Sequence, residues 1–258
     1  MMREGNMEYA LTRVHARHGM RLAEGSWRRL EASRDLSHYL EVLRTSPQAH
    51  WIASLDPASD SHAMERALRN EWRRYVTGVA VWHPQLWQPW LAWLAWLPLL
   101  GLLAALARAA PAPRWLLADP VCGPLALGSP EERIAALQRT PFAALAPALQ
   151  GRMSVAHAWY AQWQRLAPRS DEPTRQLRSR LLVTLERHAE AMLRTQDSSI
   201  ALRQELTVRL SQLFRAGAET VVASVCHMAL LALDLERLRG GLISRRVFGP
   251  RGERLEAT

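Results

Sequence analysis

The stretch SHAMERALRNEWRRYVTGVAVW, residues 61–82, decides the fold class. Met64, Leu68, Trp72, Tyr75, Val79 and Trp82 recur at steps of three and four, which is the spacing of one helical face. Glu65 and Arg69 stand four apart, in register for a supporting ion pair. The turn signals Asp56-Pro57 and Asp60-Ser61 come just before it.

Upstream, the same grammar repeats. Asn6 is placed to cap a first helix with Glu8 in its first turn and Leu11, Val14 and Leu22 on one side, while Arg13, Arg17 and Arg21 occupy the others. Ser26 is placed to cap a short helix carrying Trp27 and Leu30. Asp35 is placed to cap the next, with Leu36, Tyr39, Leu40 and Leu43 as its apolar stripe and Pro47 closing the unit.

Downstream lies the most unusual segment. From Pro84 to Ala107 no residue is charged, and Trp87, Trp90, Trp93 and Trp96 recur at every third position. One helix of this length spans about 36 Å against a hydrocarbon core of roughly 30 Å, so length allows a membrane crossing. Pro98 and Gly101 favour instead two shorter helices meeting at a break, and tryptophan in a membrane prefers the interfaces to the centre. Two readings stand side by side: a buried helical hairpin with tryptophans between helices, or a membrane-inserted segment.

Pro111, Pro113, Pro120 and Pro124 mark an irregular connector, after which Ser129-Pro130-Glu131-Glu132 is a capping box with proline at the first helical position. Helices follow at about Met153–Leu166, Thr174–Leu193 and Ile200–Phe214. A last one begins near Glu219 and carries Val222, Val225, Ala229, Ala232, Leu235 and Leu238, with Arg237 and Arg239 toward its negative end. The expectation is an all-α array of two or three helical lobes, with a funnel-like arrangement as one form it can take. An N-terminal lobe takes 1–110, the connector 111–128 and a C-terminal lobe 129–258.

Composition narrows the function. All 33 basic residues are arginine, and the formal net charge is +9. Without lysine, neither a P-loop nor Schiff-base chemistry is available; arginine-for-lysine replacement also fits a GC-rich coding bias. The arginines are dispersed among glutamates rather than gathered in an arm, and no nucleic-acid-binding motif accompanies them, so no nucleic-acid partner is expected. Two isolated cysteines, Cys122 and Cys226, give no disulfide framework and fit a reducing, cytosolic setting. The first residues carry no apolar core of a signal peptide.

Candidate chemistry is sparse. His15 and His18 lie three apart and share a helix side, but no third metal ligand is identifiable, so no metal is expected. Glu131-Glu132 and Asp171-Glu172 sit at helix starts, where carboxylates satisfy free amides. Cys226 and His227 are adjacent, which on a helix turns their side chains about 100° apart and leaves the thiol without a base. No Gly-rich phosphate loop, Gly-x-Ser-x-Gly elbow or His-Glu-x-x-His motif occurs. No enzymatic activity, catalytic residue or cofactor is expected.

Both ends of the chain resemble the C/d family of V-type (V/A-type) ATPase subunits, the helical protein that seats the central stalk on the proton-carrying ring. The N-terminal resemblance lies in Tyr9-Ala10-Leu11-Thr12-Arg13-Val14-His15-Ala16-Arg17, then Leu30-Glu31-Ala32, Leu36 to Thr45, and Met64-Glu65-Arg66-Ala67-Leu68. The C-terminal one lies in Leu233-Asp234-Leu235-Glu236-Arg237-Leu238-Arg239. The middle matches poorly, and the usual member is longer. The resemblance implies a shortened, divergent, non-catalytic subunit that is cytoplasmic and peripheral to the membrane. Its implied partners are the membrane ring and central stalk, with some contact to the membrane surface; Arg13, Arg17 and Arg237 are the implied polar contacts. A helical protein-binding adaptor, or a protein anchored through residues 84–107, are the alternatives.

Overall fold

The computed structural model describes residues 6–107, 114–117, 122–194 and 199–249, and among them no strand occurs. The fold is all-α. Its helices run α1 (Met7–Gly19), α2 (Glu24–Glu31), α3 (Leu36–Arg44), α4 (Ser61–Trp82), α5 (Gln88–Ala92), α6 (Leu100–Ala107) and α7 (Arg114–Leu117). They continue with α8 (Gly123–Ala126), α9 (Pro130–Leu137), α10 (Ala146–Leu149), α11 (Val155–Leu166), α12 (Glu172–Arg194), α13 (Ser199–Ala216) and α14 (Val221–Phe248).

Side-chain caps set most starts. Asn6, Asp35 and Asp60 accept from the amides of Glu8, His38 and Ala63 at 2.9, 2.9 and 2.7 Å. At α9 the expected capping box forms, with Ser129 and Glu132 each accepting from the other's amide. One start differs from the sequence reading: α2 begins at Glu24 behind Ala23, which caps nothing, so Ser26 lies inside the helix.

The chain divides into two compact units, one built from 1–91 and 169–258 and the other from 92–168. The boundary expected at 111–128 is not where it divides. Residues 111–113 and 118–121 of that stretch lie outside the described residues, and the rest contributes α7 and α8, with α8 packed on α9 inside the second unit. The physical reason is that α14 needs partners on every side. Val221 to Met228 are all buried, so no face of its first two turns tolerates water. It packs on α13 and α12 and on α1, α3 and α4, so the two ends of the chain share one core.

The tryptophan run is divided between the units. Trp87 and Trp90 pack against each other in the first, ring centres 5.5 Å apart. In the second, Trp93 stacks on Trp159 at 6.3 Å and donates its indole N–H to the Trp159 carbonyl at 3.1 Å, and Trp96 meets Phe142 edge-on at 4.8 Å. The expected hairpin does not form. Trp93–Leu99 is a 3-10 stretch, and α6 packs on α10 and α11. Pro98 lacks an amide hydrogen and clashes with a carbonyl one turn back, so tighter 3-10 winding absorbs it. Residues Gln85–Ala107 remain long and apolar enough to cross a membrane by length and composition, with a mean hydropathy of 1.9; 44% of that window is buried within the protein.

Candidate docking surface

The polar features of the first unit gather where α1, α4 and α14 meet. Ser224 and His227 lie three apart on α14, hence on one face, inside an otherwise apolar run. Each is fully buried and meets a residue from the α4 side. The Tyr75 hydroxyl lies 2.6 Å from His227 Nε2, and His83 Nε2 lies 2.8 Å from the Ser224 hydroxyl; His83 Nδ1 lies 2.9 Å from the Val79 carbonyl. Tyr75 lies on α4 and His83 is the residue that ends it, so the two bonds tie α4 and its C-terminal cap to one stretch of α14.

Protonation follows from burial. Removal from water pushes the His227 pKa down to about 3 and the Tyr75 pKa up to about 12, so the phenol donates and the neutral imidazole accepts. The ring hydrogen of His227 then sits on Nδ1, which is buried and has no protein partner. His18 stacks on Phe214 at 3.9 Å, its pKa lowered to about 4 first by burial and then by Arg21. His15 Nε2 lies 2.9 Å from the Ala218 carbonyl. His15 and His18 thus both meet Phe214 at the end of α13, and His15 also the segment that leads into α14. Among the described residues no group of three His, Cys, Asp or Glu side chains is arranged to hold a metal ion. Cys226 is buried, which raises its thiol to about 12.

The outer side of the same seam carries two of the three arginines singled out from sequence. Arg13 lies 5.4 Å from the Tyr9 ring and 4.3 Å from the Trp82 ring; Arg17 lies 5.3 Å from both Trp82 and Tyr75. Tyr9, Arg13, Trp82, Arg17 and Tyr75 therefore form a ladder of alternating rings and guanidiniums along α1 and α4. Arg13 and Arg17 are one turn apart on α1, and Tyr75 and Trp82 two turns apart on α4, which is what the interleaving requires. Ring faces hold each guanidinium in place, and Arg13 also donates to the Tyr9 hydroxyl at 2.5 Å. Among the described residues neither Arg13 nor Arg17 forms an ion pair.

Arg237 has a different position. Its guanidinium donates four hydrogen bonds within the chain, to both carboxylate oxygens of Glu24 and of Glu31 at 2.5 to 3.1 Å, and lies 4.8 Å from the Trp27 ring. Those bonds raise its pKa, and they hold the Glu24 carboxyl below its usual range. Arg21 likewise grips Asp234 through two bonds of 2.7 and 2.9 Å; burial pushes that carboxyl up in spite of the guanidinium. Arg237 thus acts as a clasp between α14 and α2, whereas Arg13 and Arg17 face outward. Sequence reasoning placed Tyr75 on an apolar helix face and His227 beside Cys226 without joining the two, and it missed His83 and Ser224.

Compared with known proteins, the chain matches no family model, no curated protein and no solved structure.

Proposed function

We propose that this chain is a non-catalytic docking subunit of a membrane-associated rotary ATPase, joining the central stalk to the proton-carrying ring. The observation that carries the reading is the meeting of the two stretches that resemble the C/d family. α1 lies against α14, Arg21 just past the end of α1 grips Asp234 of the second stretch, and Arg237 of the second grips Glu24 and Glu31. The resembling parts thus belong to one unit with a shared core, and within the poorly matching middle residues 92–168 form a separate unit. Arg13 and Arg17, implied as contacts, stand on the outside of the first unit, pre-oriented by aromatic rings. Such a surface suits an acidic protein partner, because planar guanidiniums supply both charge and directed hydrogen bonds. The test is co-migration: on a native gel of gently solubilised membranes the chain is expected in the band that carries rotary ATPase activity, and its absence there would sink the reading.

A second reading has its own observation. The apolarity of Gln85–Ala107 favours a membrane-anchored helical protein. Alkaline carbonate extraction separates the two: a docking subunit is released, an inserted one stays with the lipid.

A further inference from the structure

At the Tyr75 end of the ladder the surface opens into a cleft of about 550 Å³. One wall is aromatic: His50 lies 4.5 Å from Trp51 ring to ring, and Trp51 5.4 Å from Tyr75. This wall is fixed before any ligand arrives. The Trp51 indole N–H donates to Gln48 Oε1 at 2.6 Å, and Gln48 in turn donates to the Met20 carbonyl at 3.2 Å. The rim and floor are aliphatic, from Met20, Pro47 and Leu231, with Met20 55% exposed.

The charges inside the cleft leave one position open. Arg74 is paired with Glu71 one turn away, whose side chain is only 11% exposed. His50 is held toward its neutral form by burial. Arg17 remains as the guanidinium without a carboxylate among the described residues, anchored between two rings and lining the cleft.

We propose that this cleft receives one Asp or Glu side chain of a partner protein, flanked there by aliphatic residues, with the carboxylate forked on Arg17 and the neighbours lying on Met20, Pro47 and Leu231. A single uncompensated positive charge matches a carboxylate monoanion; a phosphate dianion would meet Glu71 and find too few free donors. Methionine on the rim adapts to aliphatic neighbours of different shape. The rigid wall reduces the ordering cost of binding. The proposal rests on the docking-subunit reading, yet its test needs no rotary complex.

The probe is a fluorescein-labelled twelve-residue peptide carrying glutamate between leucines, compared with the same peptide carrying glutamine, and read by fluorescence anisotropy against the full chain. The glutamate peptide is expected to bind about tenfold or more tightly than the glutamine one, and Arg17→Gln to abolish that preference. Arg17→Lys keeps the charge but not the fork and is expected to restore only part of it. Arg209→Gln, on α13 and outside this cleft, leaves binding unchanged. Met20→Glu, an exposed rim change that places like charge beside the ligand, is expected to weaken the glutamate peptide about as much as Arg17→Gln and serves if the latter does not fold. Equal affinity for both peptides, wild-type binding by Arg17→Gln and Met20→Glu, or no binding of the glutamate peptide up to about 1 mM would each overturn the proposal. Peptide binding without rotary subunits in the native-gel band would sink the functional reading alone; the reverse would sink the cleft alone.

Discussion

Acid is expected to unlock the α4–α14 seam, and the cost follows from His227. Its ring is fully buried, accepts the Tyr75 hydroxyl and is packed near His18, Arg21, Arg17 and His15, all of which disfavour a second proton. The folded pKa of about 3 lies below the ordinary 6.5. The neutral ring's contribution is therefore complete above about pH 6.5 and is lost as the pH falls toward 3, because the unfolded chain takes up the proton first. Between pH of about 7.5 and about 5, linkage gives roughly 2 kcal/mol from this ring. For a unit of this size that corresponds to a fall in melting temperature of about 4–8 °C. The assay is thermal unfolding by far-UV circular dichroism at both pH values, for wild type and His227→Gln. The variant is expected to be less stable at neutral pH, since Tyr75 loses its acceptor, and to show a drop between the two pH values smaller than wild type's by about those 4–8 °C. An equal drop in both proteins would refute the assignment of the acid sensitivity to His227.

Two further outcomes follow from the same contacts. Arg237→Ala removes four charge-assisted bonds and a ring contact, but its partners are half exposed; the expected loss is about 1–2 kcal/mol at low salt, shrinking toward about 1 M salt, read from urea midpoints at the two ionic strengths. A loss that salt leaves unchanged would contradict the clasp. Gly241→Ala on α14 drives a methyl group into the hydroxyl end of the buried Tyr39, whose ring also carries Arg245 at 4.2 Å; about 1–3 kcal/mol of destabilisation is expected, and Tyr39→Phe in the same chain should recover part of it.

Much of the helical pattern was legible because apolar residues repeat at helical spacing and caps sit ahead of them. Met64, Leu68, Trp72 and Val79 are all buried, and Asn6, Asp35 and Ser129 cap as their positions suggest. Partners across the chain were not legible. Nothing in the run from Val221 to Leu231 says that its faces are covered by helices from the other end of the sequence, so the division of the chain was misplaced. Proline and glycine marked 111–128 as irregular, but irregular backbone is not a boundary when α7 packs on α8 and α8 on α9, the next helix in the chain. Of the three arginines singled out, local sequence could not distinguish Arg237, spent on two glutamates more than 200 positions away, from Arg13 and Arg17, whose neighbours are rings. His227 was read only as the neighbour of Cys226 and Ser224 not at all; their meaning lay in Tyr75 and His83, far away in the sequence.

The central claim is that the outward face of α1 docks this chain onto a rotary ATPase. Its most direct test is affinity purification of the tagged chain from gently solubilised native membranes, with mass spectrometry of the co-eluting proteins, for wild type and an Arg13→Gln, Arg17→Gln double variant. The account predicts ring and stalk subunits with wild type and their loss with the folded double variant. Recovery of neither with wild type would contradict the functional reading, and equal recovery with both proteins would contradict the role given to the ladder.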